Sequence, residues 1–139
     1  MISVSRKAFD EIIISMSAVE IETGGLLGSS KCGLIDTFHF DEGRCCNTKE
    51  YNPDIDMLNG LLINWNLSQI AFMGIIHSHW DKEELSAKDI YMARKLLSLN
   101  SLKHVLMPVF VISKRCIYWY TVSGNDVKHM AFRVVDNKY

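Results

Sequence analysis

Apolar residues recur along this chain in two rhythms, one near 3.6 residues and one near 2, and together they predict the elements. Behind Ser5, a residue type that caps helices, Phe9, Ile12, Ile13 and Met16 mark a first helical face ending near Ala18. Asn52 and Pro53 read as the cap and first-turn proline of a second helix, whose face Ile55, Leu58, Leu61, Leu62 and Trp65 runs to about Asn66. A third follows Ser86, with Ile90, Ala93, Leu96 and Leu97 inward and its end near Asn100.

The shorter rhythm predicts strands. VEIETGGLLGSS reads as a strand pair, or one strand with a bulge, around a glycine pair. GLIDTFHFDEG, bounded by Gly33 and Gly43, alternates so that His39 faces away from Phe38 and Phe40. CCNTKEY continues as loop or strand. AFMGIIH is too short and too apolar for an amphipathic helix, and predicts a buried central strand emerging at His77. HVLMPVFVIS, CIYWYTV and VKHMAFRVV, separated by KR and SGND, predict an antiparallel meander. Within it Tyr118, Trp119 and Tyr120 alternate faces, one for the core and the other open to a partner or dimer. No linker, repeat or low-complexity segment interrupts the pattern, so one domain is expected over 1–139.

Composition narrows the function. With 139 residues, 48% of them apolar, the chain can build a core. Fifteen Lys and Arg against sixteen Asp and Glu give a net charge of -1, so neither nucleic-acid nor anionic-membrane binding is expected. No apolar run nears the roughly 20 residues of a bilayer span, and a cytoplasmic protein is expected. Cys32, Cys45, Cys46 and Cys116 form no CxxC pair, and reduced thiols follow from that.

The chemistry sits in HSHWDKEELSAKD, residues 77–89. On a strand His77 and His79 project from one face about 6.6 Å apart, close enough to converge on one ion. A helix opening at Ser86 carries Asp89 in its first turn, where a carboxylate can complete a two-His, one-carboxylate set with an open position, a composition used by catalytic zinc. Such a site lowers the pKa of a bound water to about 7 and needs a proton acceptor. Glu22, before the glycines of ETGGLLG, is the best upstream candidate, because glycines let a backbone or a substrate approach closely. Ser86 could donate to a developing oxyanion.

Each feature also has a plain structural explanation. Ser-x-x-Asp before an apolar-periodic helix is close to a capping box, and HxH at a strand end is often merely solvated or hydrogen-bonded. Trp80 either walls a substrate groove or covers the core, and Asp81, Glu83 and Glu84 fit a solvated acidic loop. His39, His104 and His129 have no spacing partner and fit surface or structural roles.

It is the conjunction that is uncommon. Glu22 in ETGGLLG, HSH at 77–79, Ser86 and Asp89 together resemble the JAMM motif of the JAB/MPN-domain zinc metalloproteases, in its compact prokaryotic form, over most of the chain. The resemblance implies an α/β (α+β) fold: a mixed sheet like that of the cytidine deaminases, flanked by about three helices. It implies Zn2+ held by His77, His79 and Asp89, proton transfer by Glu22, and oxyanion support from Ser86. Trp80 would contact substrate. The implied activity is a metallopeptidase or isopeptidase cleaving after the tail of a ubiquitin-like protein or its conjugate, in a pathway with E1-like and E2-like proteins. The alternative is a metal-binding scaffold that cleaves nothing. Deaminase chemistry itself is disfavoured, since H-x-E and PCxxC are absent.

The chain departs from the family pattern in two places. Trp80 stands where proline is usual, with six residues, WDKEEL, before Ser86, one fewer than usual; ETGGLLG is also one residue tighter. The spacings that aim the ligands are intact, so the cradle is expected to form and the mouth of the cleft to differ.

Overall fold

The computed structural model describes residues 1–43, 51, 53 and 55–136. The predicted cap at Asn52 and the Cys45–Cys46 pair therefore lie outside the described residues. Where local signals are strong the chain follows them. Strand β1 (Ile2–Ser5) turns directly into α1 (Arg6–Ser17), and Ser5 Oγ accepts the Ala8 N–H at 3.1 Å, satisfying a first-turn donor that has no partner inside the helix. Ala8, Ile12 and Met16 form its buried stripe. Helix α2 is Ile55–Leu67 and α3 is Ala87–Asn100, the latter closed by Ser101 in the left-handed conformation, φ 53°.

One mixed sheet carries the rest. It holds β2 (Gly24–Ser29), β3 (Thr37–Asp41), β4 (Ala71–His79), β5 (His104–Leu106), β6 (Val109–Val111), β7 (Cys116–Ser123) and β8 (Val127–Met130). β2 lies antiparallel between β3 and β4, with a register shift at Leu27/Gly28. β4 runs parallel to the short strands β5 and β6, which are separated at Met107 and Pro108 because proline has no N–H for the ladder. Both pair antiparallel to β7, whose far side carries β8.

Two predictions need correction. VEIE is not a strand; residues 19–23 form the bend between α1 and β2, and the ladders to β3 and β4 both stop at Gly24, because β-propensity makes a strand only where the pairing continues. Nor is the last third a simple meander: at Ala131 the chain leaves the sheet, and β9 (Phe132–Val135) pairs parallel with β1.

The sheet has a packed layer on each face. Val4, Ile12, Met16, Ile35, Ile76 and Trp119 belong to a cluster under α1 and the β1–β9 pair. Leu58, Trp65, Ile75, Ala93, Leu97 and Val105 belong to one under α2 and α3. Strand alternation sends Ile75 to the second layer and Ile76 to the first. The same alternation sends His77 and His79 towards α3 and turns Ser78 away.

Candidate metal centre

At the end of β4 the two imidazoles meet edge to face, with centroids 4.8 Å apart at 78°. Asp89, in the first turn of α3, brings Oδ2 to 3.0 Å from His77 Nε2 and 3.2 Å from His79 Nε2. One nitrogen from each histidine and a carboxylate oxygen all lie within 4.8 Å of one another, the one such group of three among the described residues. The helix cap sets that position. Ser86 Oγ accepts the Asp89 N–H at 3.1 Å, and Asp89 Oδ2 accepts the Ser86 N–H at 2.9 Å, a complete capping box. Capping and convergence on the histidines are thus two uses of one carboxylate.

Electrostatics fits this closeness. Burial by itself would raise the Asp89 carboxyl, but the imidazoles of His77 and His79 outweigh it and hold the group well below the usual carboxylate range. For His79, burial lowers the proton affinity, and its pairing with Asp89 outweighs that and raises it above the usual histidine value. His79 Nδ1 lies 3.3 Å from the Lys82 carbonyl; a proton there leaves Nε2 as the lone-pair donor, the orientation a metal-ligating histidine requires. His77 is 6% exposed, and among the described residues neither of its ring nitrogens has a partner that meets hydrogen-bonding geometry, although Asp89 Oδ2 lies 3.0 Å from Nε2. A buried imidazole nitrogen left unsatisfied beside a carboxylate fits a cation.

A cavity of about 510 Å³ opens over the cluster. Glu22, Trp80 and Ser86 all line it, so the predicted residues are brought together. Glu22 reaches it from the bend before β2, and its Oε2 accepts the Trp80 N–H at 3.3 Å. Trp80 is 57% exposed and lines the cavity, so it does not serve as core cover. The glycines after Glu22 make room for protein rather than for substrate: a Cβ on Gly24 would run into the Tyr51 ring and within 2.7 Å of the Ile76 carbonyl, and one on Gly25 into the His39 carbonyl.

Sequence reasoning missed part of the lining. Tyr51, in the segment read only as loop or strand, sits in the cavity wall, where its hydroxyl donates to Asp41 Oδ2 at 2.6 Å. Lys82, Lys88, Met92 and Met107 also line it. Met92 stands one turn after Asp89, so helical spacing could have found it; nothing local marks Tyr51.

The shortened loop after His79 is braced. Ser113 N–H donates to the Trp80 carbonyl at 2.9 Å, Ser113 Oγ to Asp81 Oδ1 at 2.8 Å and Tyr120 OH to the Glu83 carbonyl at 2.7 Å, while Lys114 pairs with Glu83 at 3.1 Å. Asp81 and Glu83 are therefore tied to the β6–β7 turn and to β7, while Glu84 is exposed, as a solvated loop residue would be. Tyr118 and Tyr120 both meet the His129 ring at a tilt, while Trp119 is buried, as alternation along β7 requires. His39 and His104 lie on β3 and β5, outside the cluster.

No family model and no curated protein matches the sequence. Solved structures do match the backbone. A Desulfitobacterium hafniense protein of known solution structure superposes with a TM-score of 0.74 at 14% identity, over 99% of this chain and 94% of that one. A JAB1/MPN domain protein from Archaeoglobus fulgidus superposes with a TM-score of 0.59 at 16% identity, over 96% of this chain and 97% of that one. The fold is that of a JAB1/MPN domain. On this JAB1/MPN fold the His77–His79–Asp89 group can hold a metal ion at the exit of the central strand β4. Among the described residues no helix is long and apolar enough to cross a membrane.

Proposed function

We propose that the chain is a zinc-dependent metallopeptidase or isopeptidase with a JAMM-type site, cleaving after the C-terminal tail of a ubiquitin-like protein or its conjugate. The observation that carries this reading is the convergence of His77, His79 and Asp89 within 4.8 Å under a cavity that Glu22 also lines. His77, His79 and Asp89 would hold Zn2+, which when bound supplies a Lewis acid and lowers the pKa of water to about 7.

The chain's own groups supply the rest. Glu22, held by the Trp80 N–H, takes a proton from the attacking water and returns it to the leaving amine. The Ser86 oxygen is engaged by the Asp89 N–H, and its O–H can donate to the carbonyl oxygen as charge develops there. The exposed Trp80 ring lies where a substrate chain would enter, and an extended glycine-rich tail needs little more than backbone pairing. E1-like and E2-like proteins are the partners such an activity implies.

The test is metal analysis of the purified protein together with cleavage of ubiquitin-like fusions and conjugates by wild type and by Glu22→Gln. One zinc per chain, with cleavage lost in Glu22→Gln, is expected. Zinc bound with no substrate ever cut would favour a non-catalytic scaffold, and zinc retained in both His77→Ala and His79→Ala would refute the ligand assignment.

A further inference from the structure

Ser78 stands between the two histidines, points away from the cavity and is wholly buried, yet it makes the tightest link between β4 and the residue next to Glu22. Its hydroxyl oxygen accepts the Thr23 N–H at 2.8 Å, its own N–H donates to the Thr23 carbonyl at 2.8 Å, and its hydroxyl also lies 3.3 Å from that carbonyl. These bonds lie just beyond the end of the β2 ladder, whose last pair here is Gly24 with His77. Continued by one residue, that antiparallel register sets Thr23 opposite Ser78, and by a second it sets Glu22 opposite His79, on the cavity side. The regular ladder ends here, and of the two main-chain bonds such a pair would make only the one from the Ser78 N–H to the Thr23 carbonyl is formed. The hydroxyl replaces the missing ladder bond.

The Glu22 carboxylate is then held from its other end by the Trp80 N–H at 3.3 Å, a donor that exists only because residue 80 is not proline. We infer that Ser78 is the positioning residue of Glu22: it clamps the Thr23 backbone so that the carboxylate reaches the Trp80 N–H and, through it, the cavity above the histidines. The inference deepens the hydrolase reading and rests on it for its catalytic meaning, but the clamp itself is a statement about this chain's own bonds.

The consequence separates the clamp from a merely structural serine. Ser78 makes no bond to the Trp80 amide, so removing its hydroxyl should expose that amide only if Glu22 moves. Amide hydrogen exchange in Ser78→Ala is expected to accelerate at Thr23, which loses its acceptor, and at Trp80 by tenfold or more, while Ile75 and Ile76 within β4 keep their rates. Glu22→Ala should accelerate Trp80 alone, the double variant no further, and Ser78→Thr should restore both amides. Ser78→Cys, which keeps a weak acceptor in the same place, serves if the alanine variant does not fold, with an intermediate rate at Thr23 and Trp80. An unchanged Trp80 rate in the folded Ser78→Ala or Ser78→Cys protein overturns the proposal.

Turnover and metal binding complete the test. Ser78→Ala should bind zinc as tightly as wild type in chelator competition and, on a ubiquitin-like fusion, lose kcat tenfold or more with little change in KM. Equal kcat would overturn the proposal even with the exchange pattern in place. If wild type cuts no fusion, the hydrolase reading fails, and the exchange measurements still decide whether Ser78 positions Glu22.

Discussion

Asp89 Oδ2 stands 3.0 Å from His77 Nε2 while accepting the Ser86 N–H at 2.9 Å, so one carboxylate oxygen both caps α3 and closes the cluster on β4. The helix start and the candidate metal centre are therefore one piece of geometry, and changes at either are felt at the other.

Ser86 should matter to the fold even without metal. In chelator-treated protein Ser86→Ala is expected to lower unfolding stability by about 1 kcal/mol, the usual cost of a lost N-cap. Urea denaturation measures it; an unchanged midpoint would mean that Ser86 Oγ does not cap α3 in solution.

The cluster makes the metal-free protein sensitive to pH. The Asp89 carboxyl is held low, so its contribution is present above the unfolded value of about 3.9 and is lost as pH falls below it. His79 is raised, so its contribution is complete below about 6.5 and is lost as pH climbs through the higher folded value. The urea midpoint with chelator should fall from pH 6 to 8 in wild type and stay flatter in His79→Gln. With zinc the trend should reverse, because the His79 proton competes with the metal. Parallel slopes for wild type and His79→Gln would count against the pairing.

Two glycines should respond to alanine with opposite signs. A Cβ on Gly74 of β4 would overlap the Leu106 carbonyl oxygen of β5 and come within 2.7 Å of its carbon, so Gly74→Ala should cost roughly 1–3 kcal/mol. Gly60, in α2, would place its Cβ in open space, so Gly60→Ala should add about 1 kcal/mol of stability. Chemical denaturation of the two variants side by side decides both.

Tyr51 should behave as a structural residue of the cavity wall. Its hydroxyl donates to Asp41, which is 2% exposed, and burial followed by that carboxylate pushes the phenol far above its ordinary value. Tyr51→Phe leaves a buried carboxylate short of a donor and should cost about 2 kcal/mol, read from denaturation, with zinc stoichiometry unchanged. Loss of zinc in this variant would place Tyr51 closer to the metal centre than its bond to Asp41 implies.

The sequence alone determined the local part of this protein. The 3.6-residue faces of α1 and α3, the caps at Ser5 and Ser86 and the common side of His77 and His79 all follow from spacings of a few residues, which backbone geometry converts directly into direction. Tertiary structure decided what depends on partners far along the chain. Val19–Glu22 has strand-like composition but lies beyond the ladders, which end at Gly24, and Phe132–Val135 left the meander because β1 offered a parallel edge. Tyr51 reached the cavity wall through a bond to Asp41, and the loop after His79 was fixed by Ser113, Lys114 and Tyr120. Glu22 is the residue on the boundary. Its candidacy was legible beside the glycines, but its position came from Ser78 and the Trp80 N–H, because a side chain in a bend is aimed by whatever holds the bend.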